Sequence, residues 1–116
     1  MTLIFSYGTL QREDVQLAQV GRAMAGLADA LPGFRTVPVP IDDPSIVESL
    51  GISTYDSLEK TGRPEDEVAG TVFEVTDAEL ERIDAYEAPE YGRFEVVLKS
   101  GRRGWAWKAV NPRTDQ

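Results

Sequence analysis

Residues 68–89, VAGTVFEVTDAELERIDAYEAP, constrain the fold more than any other stretch of the chain. Val68 to Val75 is β-branched and aromatic with one glycine inside it, the composition of a strand. Thr76-Asp77-Ala78-Glu79 then makes a capping box, a Thr N-cap with a Glu three residues on, which starts a helix. The helix is predicted to run to about Glu87, where Pro89 stops it. A sheet strand therefore passes directly into a helix that packs on the sheet.

The rest of the chain is read around that unit. Thr2 to Ser6 reads as a short buried strand. Gln11 to Val20 reads as a short helix with Val15, Leu17, Ala18 and Val20 as its apolar face, and Gly21 is placed to end it. Ala23 to Val39, with Pro32-Gly33 inside it, predicts strand, bend, strand. Pro38, Pro40 and Pro44 with Asp42-Asp43 predict a loop. Ser45 to Leu58 has no clear period, and Lys60 to Glu67 (KTGRPEDE) is a charged, exposed turn. Phe94 to Leu98 and Trp105 to Val110 read as strands joined by the hairpin loop Ser100-Gly101-Arg102-Arg103-Gly104. The order β-α-β-β-irregular-β-α-β-β predicts an α+β fold. Its form is a small mixed, mainly antiparallel sheet curled into a barrel with two flanking helices, in a single domain over 1–116.

Composition removes several kinds of chemistry. The chain has 116 residues, 12 basic and 20 acidic, for a net charge of −8. Phosphate-tracking proteins need a basic patch, so a nucleic-acid partner is disfavoured. There is no Cys and no His. Thiol nucleophiles, disulfides, the Ser-His-Asp triad and the commonest metal ligand are all absent. Proton transfer would run through Asp, Glu, Lys or Tyr. No apolar run approaches the roughly 20 residues of a membrane span, and the N-terminus has no basic region followed by an apolar stretch. A soluble, cytoplasmic protein without a membrane partner is expected.

One carboxylate stands out by position. Glu87 is i+7 from Leu80 and i+4 from Ile83, so it shares their apolar stripe. Two readings follow: a frayed helix end that lets Glu87 reach water, or a partly apolar pocket that raises its pKa toward neutrality, as a general base needs.

Four motifs carry a family resemblance. Tyr7-Gly8-Thr9-Leu10 resembles the YG(T/S)L signature of the gamma-glutamylcyclotransferase-like superfamily, in its avirulence-induced-gene-like branch. Ile83-Asp84-Ala85-Tyr86-Glu87, followed by Tyr91-Gly92-Arg93, is similar to its LDxxE…YxR segment. Val68 to Val75 resembles its VxGxxYEV strand, and Trp105-Ala106-Trp107 resembles its last strand.

The resemblance implies a small mixed β-barrel with flanking helices. The implied reaction closes a gamma-glutamyl compound into 5-oxoproline and a free amine, with no cofactor and no metal. Glu87 matches the catalytic position. The Tyr7, Gly8, Thr9 and Leu10 loop would bind the substrate carboxylate through backbone N–H groups, with Tyr91 also contacting substrate. The implied partner is a small gamma-glutamyl molecule; no oligomeric state is implied.

Bland alternatives stand beside these roles. Tyr7 and Tyr91 are also suited to packing, Arg93 to a surface pair with Asp84, and Trp105 and Trp107 to sharing one strand face. The chain departs from the pattern where Trp107 replaces a last-strand Tyr, and where 38–67 is longer and more acidic than a minimal connection. A non-catalytic module that binds a small carboxylate or a protein on the same scaffold is the alternative function.

Overall fold

The computed structural model describes residues 2–41, 43–51, 54–87 and 91–109. Among these are strands β1 (Thr2–Ser6), β2 (Gly26–Pro32), β3 (Phe34–Pro40), β4 (Thr54–Lys60), β5 (Glu67–Val75), β6 (Tyr91–Val97) and β7 (Arg103–Ala109). The helices are α1 (Glu13–Gln19), α2 (Pro44–Leu50) and α3 (Asp77–Glu87), with one 3-10 turn at Thr9–Gln11 between β1 and α1. Pro89 and Val110, read above as a helix stop and a strand end, lie outside the described residues.

The fold is mixed α+β. Five strands form one sheet in the order β2-β5-β1-β7-β6, and β3 and β4 form a separate ribbon. Among the described residues every strand pairing is antiparallel except β1 with β7. Hydrogen bonds tie the ribbon to the sheet. Ala109 N donates to Ser57 Oγ at 2.9 Å, and Gly33 N donates to the Asp66 carbonyl at 2.7 Å. The sheet is thus curled around one face. It does not close by strand pairing among the described residues, where a barrel was expected.

The pleat explains two separate packing clusters. Ile4 and Phe5, both 0% exposed, are neighbours in β1 and point to opposite faces. Ile4 joins Leu10, Val15, Val20, Phe73, Val75, Ile83 and Trp107 beneath α1 and α3. Phe5 joins Leu31, Leu58, Val72, Val96 and Ala106 on the face that the ribbon covers. Val72 and Phe73 in β5, and Ala106 and Trp107 in β7, split in the same way.

Two further expectations change. The buried face of α1 is Val15, Gln16 and Val20, while Leu17 (53% exposed) and Ala18 face solvent. Gln16 is inside because its amide bonds both ways: Nε2 to the Leu10 carbonyl at 2.9 Å, and Oε1 from Met24 N at 2.8 Å. The segment expected to be irregular holds a helix, α2, and a strand, β4. Asp43 accepts from Ser45 N at 3.0 Å as N-cap, and Gly51 ends α2 at φ +73°, so the described residues hold three α-helices where two were predicted. β2 and β3 run as strand, bend, strand, as read, and turn at Gly33 (φ +82°) into different sheets.

α3 begins as its capping box dictates. Glu79 N donates to Thr76 Oγ1 at 3.1 Å, and Thr76 N donates to Glu79 Oε1 at 2.9 Å. Ile83 is fully buried on its inner face, and Glu81, Arg82 and Ala85 are exposed. No described helix is long and apolar enough to cross a membrane.

Candidate active site

The topology gathers four chain segments at one end of the sheet. β1 and β7 run parallel, so their C-terminal ends share an edge. β6 is antiparallel to β7 with Tyr91 opposite Ala109, so β6 starts at that same edge. α3 leads into β6 and brings its last residue, Glu87, there. The loop after β1, the end of α3, the start of β6 and the end of β7 therefore meet.

The loop is held from several sides. Tyr7 OH donates to the Trp107 carbonyl at 2.5 Å, and its ring stacks on Phe5 with centroids 6.5 Å apart. Gly8 O accepts from Gln11 N at 3.1 Å and from Gln11 Nε2 at 3.3 Å. In a trans peptide that pairing turns the Thr9 N–H the opposite way. Gln11 is itself anchored by Thr71 Oγ1 at 2.8 Å. Thr9 Oγ1 and Tyr86 OH lie 2.6 Å apart. Leu10 is 2% exposed and its side chain belongs to the core, so only its backbone is available to a ligand. A Cβ built on Gly8 would meet nothing within 4 Å, which leaves space beside that backbone. Gly70, by contrast, is needed for close approach: a Cβ there would lie 2.4 Å from the Ser6 carbonyl.

Glu87 ends α3 partly buried. Burial pushes its carboxyl up to about 7, and the neighbouring Asp84 adds to the rise. Among the described residues it has no hydrogen-bond or ion-pair partner. Burial also raises the Tyr7 phenol, reinforced by Tyr91, Glu87 and Asp56 and offset in part by a hydrogen bond with Ser57. The Tyr86 phenol is raised by burial first, against its bond with Thr9. Tyr7 and Tyr86 thus stay neutral donors near Glu87 at ordinary pH.

Tyr91 OH donates to the Asp56 carbonyl at 3.1 Å, which ties β6 to the ribbon. Arg93 pairs with Asp84 at 3.5 Å and lies over the Trp105 ring at 4.6 Å. Trp105 and Trp107 share a face of β7, both against the core under the helices. The Trp107 indole Nε1 donates to Asp84 Oδ1 at 2.9 Å. On the ribbon side, a depression of about 380 Å³ is lined by Tyr7, Arg35, Thr36, Asp56, Glu67, Val68 and Ala69. No group of three metal-ligating side chains converges among the described residues.

The structure therefore brings Tyr7, Gly8, Thr9, Tyr91 and Glu87 to one end of the fold, with the Leu10 side chain turned into the core. The sequence alone assigns no role to Tyr86, Gln11, Gln16 or the ribbon residues Asp56 and Ser57. Gln16 carried a signal, since it is i−4 from the buried Val20. The ribbon residues carried none, because their closeness to β6 and β7 is set by tertiary packing.

A model of the family described as gamma-glutamyl cyclotransferase, AIG2-like, matches residues 4–115. Among solved structures, one similar fold is an Arabidopsis thaliana protein solved in solution. It has 24% identity and a TM-score of 0.69, covering 95% of this chain and 69% of its own. A structure named gamma-glutamyl cyclotransferase has 16% identity and a TM-score of 0.70 over 95% of this chain and 67% of its own. An uncharacterized protein from Pyrococcus horikoshii has 21% identity and a TM-score of 0.63 over 96% of this chain and 80% of its own. At these identities the likeness speaks to the fold. No curated protein matches the chain in sequence.

Proposed function

The chain belongs to the gamma-glutamyl cyclotransferase, AIG2-like family, and from that premise we propose that it converts a gamma-glutamyl amino acid or gamma-glutamylamine into 5-oxoproline and a free amine. Glu87 acts as general acid and base, and the 7–10 loop holds the substrate carboxylate. Tyr7 and Tyr91 form the wall beside it.

The observation that carries the reading is Glu87 itself. A carboxyl near pKa 7, without a described partner and next to a loop with open backbone, suits proton transfer at neutral pH. In the proposed sequence Glu87 removes a proton from the substrate's α-ammonium. The freed amine attacks the γ-carbonyl carbon and forms the ring C–N bond. The tetrahedral intermediate then collapses: Glu87 gives its proton to the outgoing amine as the bond to it breaks, then takes the extra proton of the ring nitrogen and passes it to the released amine, which leaves as an ammonium. No water is consumed and no cofactor is needed. Holding the carboxylate at the loop curls the flexible glutamyl chain so that amine and carbonyl meet. Loop N–H groups not engaged by the carboxylate are suited to the developing oxyanion.

The test is release of 5-oxoproline from a panel of gamma-glutamyl amino acids and amines. Product from at least one member is expected; none from any, with folded protein, overturns the reading.

One observation favours the non-catalytic alternative. Trp107 places an indole where a last-strand phenol is expected, and that indole is committed to Asp84. If the missing hydroxyl is needed for turnover, the site binds a gamma-glutamyl ligand without cyclising it. Saturable binding with no product in the same panel distinguishes this case.

A further inference from the structure

The ionisable groups at this end of the fold come from several elements. Asp84 and Tyr86 lie on α3, Tyr7 on the exit from β1, Tyr91 and Arg93 on β6, and Asp56 on β4. Arg12, at the N-cap of α1, and Asp14, in its first turn, act on Tyr86. Among the described residues, only Asp84 is a charged neighbour one helical turn from Glu87 on the same helix, at the i,i+3 spacing that brings side chains together.

Asp84 is also unusually well fixed for a half-exposed aspartate. One oxygen accepts from the Trp107 indole at 2.9 Å, and the other faces the Arg93 guanidinium at 3.5 Å. Arg93 is in turn held over the Trp105 ring. Trp107 is buried in the core and its carbonyl also receives the Tyr7 hydroxyl. A single residue of β7 therefore grips both sides of the site: the loop through its backbone and α3 through its side chain.

We propose that Asp84, clamped by the Trp107 indole and Arg93, is a positioning residue that presents a fixed negative charge to Glu87 from one turn away. Its importance for catalysis rests on the cyclotransferase reading given above. The clamp keeps a negative charge at a fixed distance from Glu87, and a like charge favours the protonated form. It also gives the tryptophan at 107 a task that a residue without an N–H or O–H donor cannot perform.

The experiment is a carboxyl-carbon NMR titration of Glu87 in the full chain without substrate, for wild type, Asp84→Asn and Trp107→Phe. Asp84→Asn is nearly isosteric and keeps an acceptor for the indole. It is expected to lower the Glu87 midpoint by about one pH unit, because it removes the repulsive charge and leaves Arg93 unneutralised. Trp107→Phe frees Asp84 to turn toward water and is expected to lower the midpoint less. In turnover, the acid limb of the pH–rate profile should move by the same amount as the midpoint. A Glu87 midpoint unchanged in Asp84→Asn overturns the inference whatever the activity. Midpoints that shift as stated in a chain that releases no 5-oxoproline sustain the tuning of Glu87 and overturn the cyclotransferase reading instead. Should Trp107→Phe unfold, Asp84→Asn alone decides.

Discussion

Thr9 Oγ1 lies 2.6 Å from Tyr86 OH, so the loop that leaves β1 is bonded to the residue just before Glu87. This bond crosses from one wall of the site to the other. Removing either partner, as Thr9→Val or Tyr86→Phe, is expected to cost about 1 kcal/mol. The double variant should cost clearly less than the sum, because both singles break one interaction. Urea unfolding of the four proteins measures this, and strictly additive losses would show that the two hydroxyls do not support each other.

Gly8 separates binding from folding. Its φ of −130° lies outside the left-handed range, and an added Cβ meets nothing within 4 Å. Gly8→Ala should therefore leave the melting temperature nearly unchanged. If a carboxylate rests against this backbone, the same methyl intrudes on it. Affinity for 5-oxoproline, read by calorimetry, should drop by at least about tenfold, which is 1.4 kcal/mol. Undiminished affinity would place the ligand elsewhere.

Glu87 should make the protein less stable as pH rises. Its folded carboxyl titrates at about 7 against an ordinary value of 4.5. Below 4.5 both states are protonated and the group is neutral to stability. Between 4.5 and 7 the unfolded chain ionises first, so the folded state loses ground, and the loss levels off above 7. Glu87→Gln lacks this penalty. The stability gap between variant and wild type should therefore grow from pH 4.5 to about 7 in favour of the variant, by at most about 3 kcal/mol. A gap that does not change with pH would mean that Glu87 is solvated like any surface glutamate.

Local chemistry made much of this legible in the sequence, and long-range pairing accounts for most of what was not. The capping box at Thr76 and the stripe of Leu80, Ile83 and Glu87 are short-range patterns, and they appear as read. α2 was missed although its punctuation is complete: Asp43 as N-cap, Pro44 at its first position and left-handed Gly51 at its end. Pro38, Pro40 and Pro44 together carry a stronger loop signal than this cap. In β3, Pro38 and Pro40 read as loop residues, yet they are tolerated in a two-stranded ribbon, where each strand has an unpaired side. In β4, Ser57 and Leu58 are buried side by side, which erases the alternation that marks a strand. That Ser57 and Asp56 would then approach β7 and β6 has no local signature at all. The Trp107–Asp84 bond is of the same kind, since it depends on how α3 lies across β7.

The N-terminus of α3 gives a stability test independent of the site. Thr76→Ala removes the hydroxyl that caps Glu79 N and should cost about 1 kcal/mol. Glu79 is additionally paired with Arg22 at 2.7 Å, and its carboxyl is held down at about 2, with the Arg22 hydrogen bond as the largest cause. Its contribution is present above the ordinary value of 4.5 and is lost as pH falls toward 2. The cost of Glu79→Gln should accordingly shrink on acidification, as followed by thermal melts between pH 6 and pH 2. A cost independent of pH would contradict the ion-pair origin.

The most direct test of Glu87 as the proton-transferring group is turnover of a gamma-glutamyl compound that the wild-type chain converts, repeated with Glu87→Gln. The variant should remain folded and release 5-oxoproline at least about 100-fold more slowly. Release at the wild-type rate by the folded variant would contradict the account, because the near-neutral carboxyl at the end of α3 would then take no part in the chemistry.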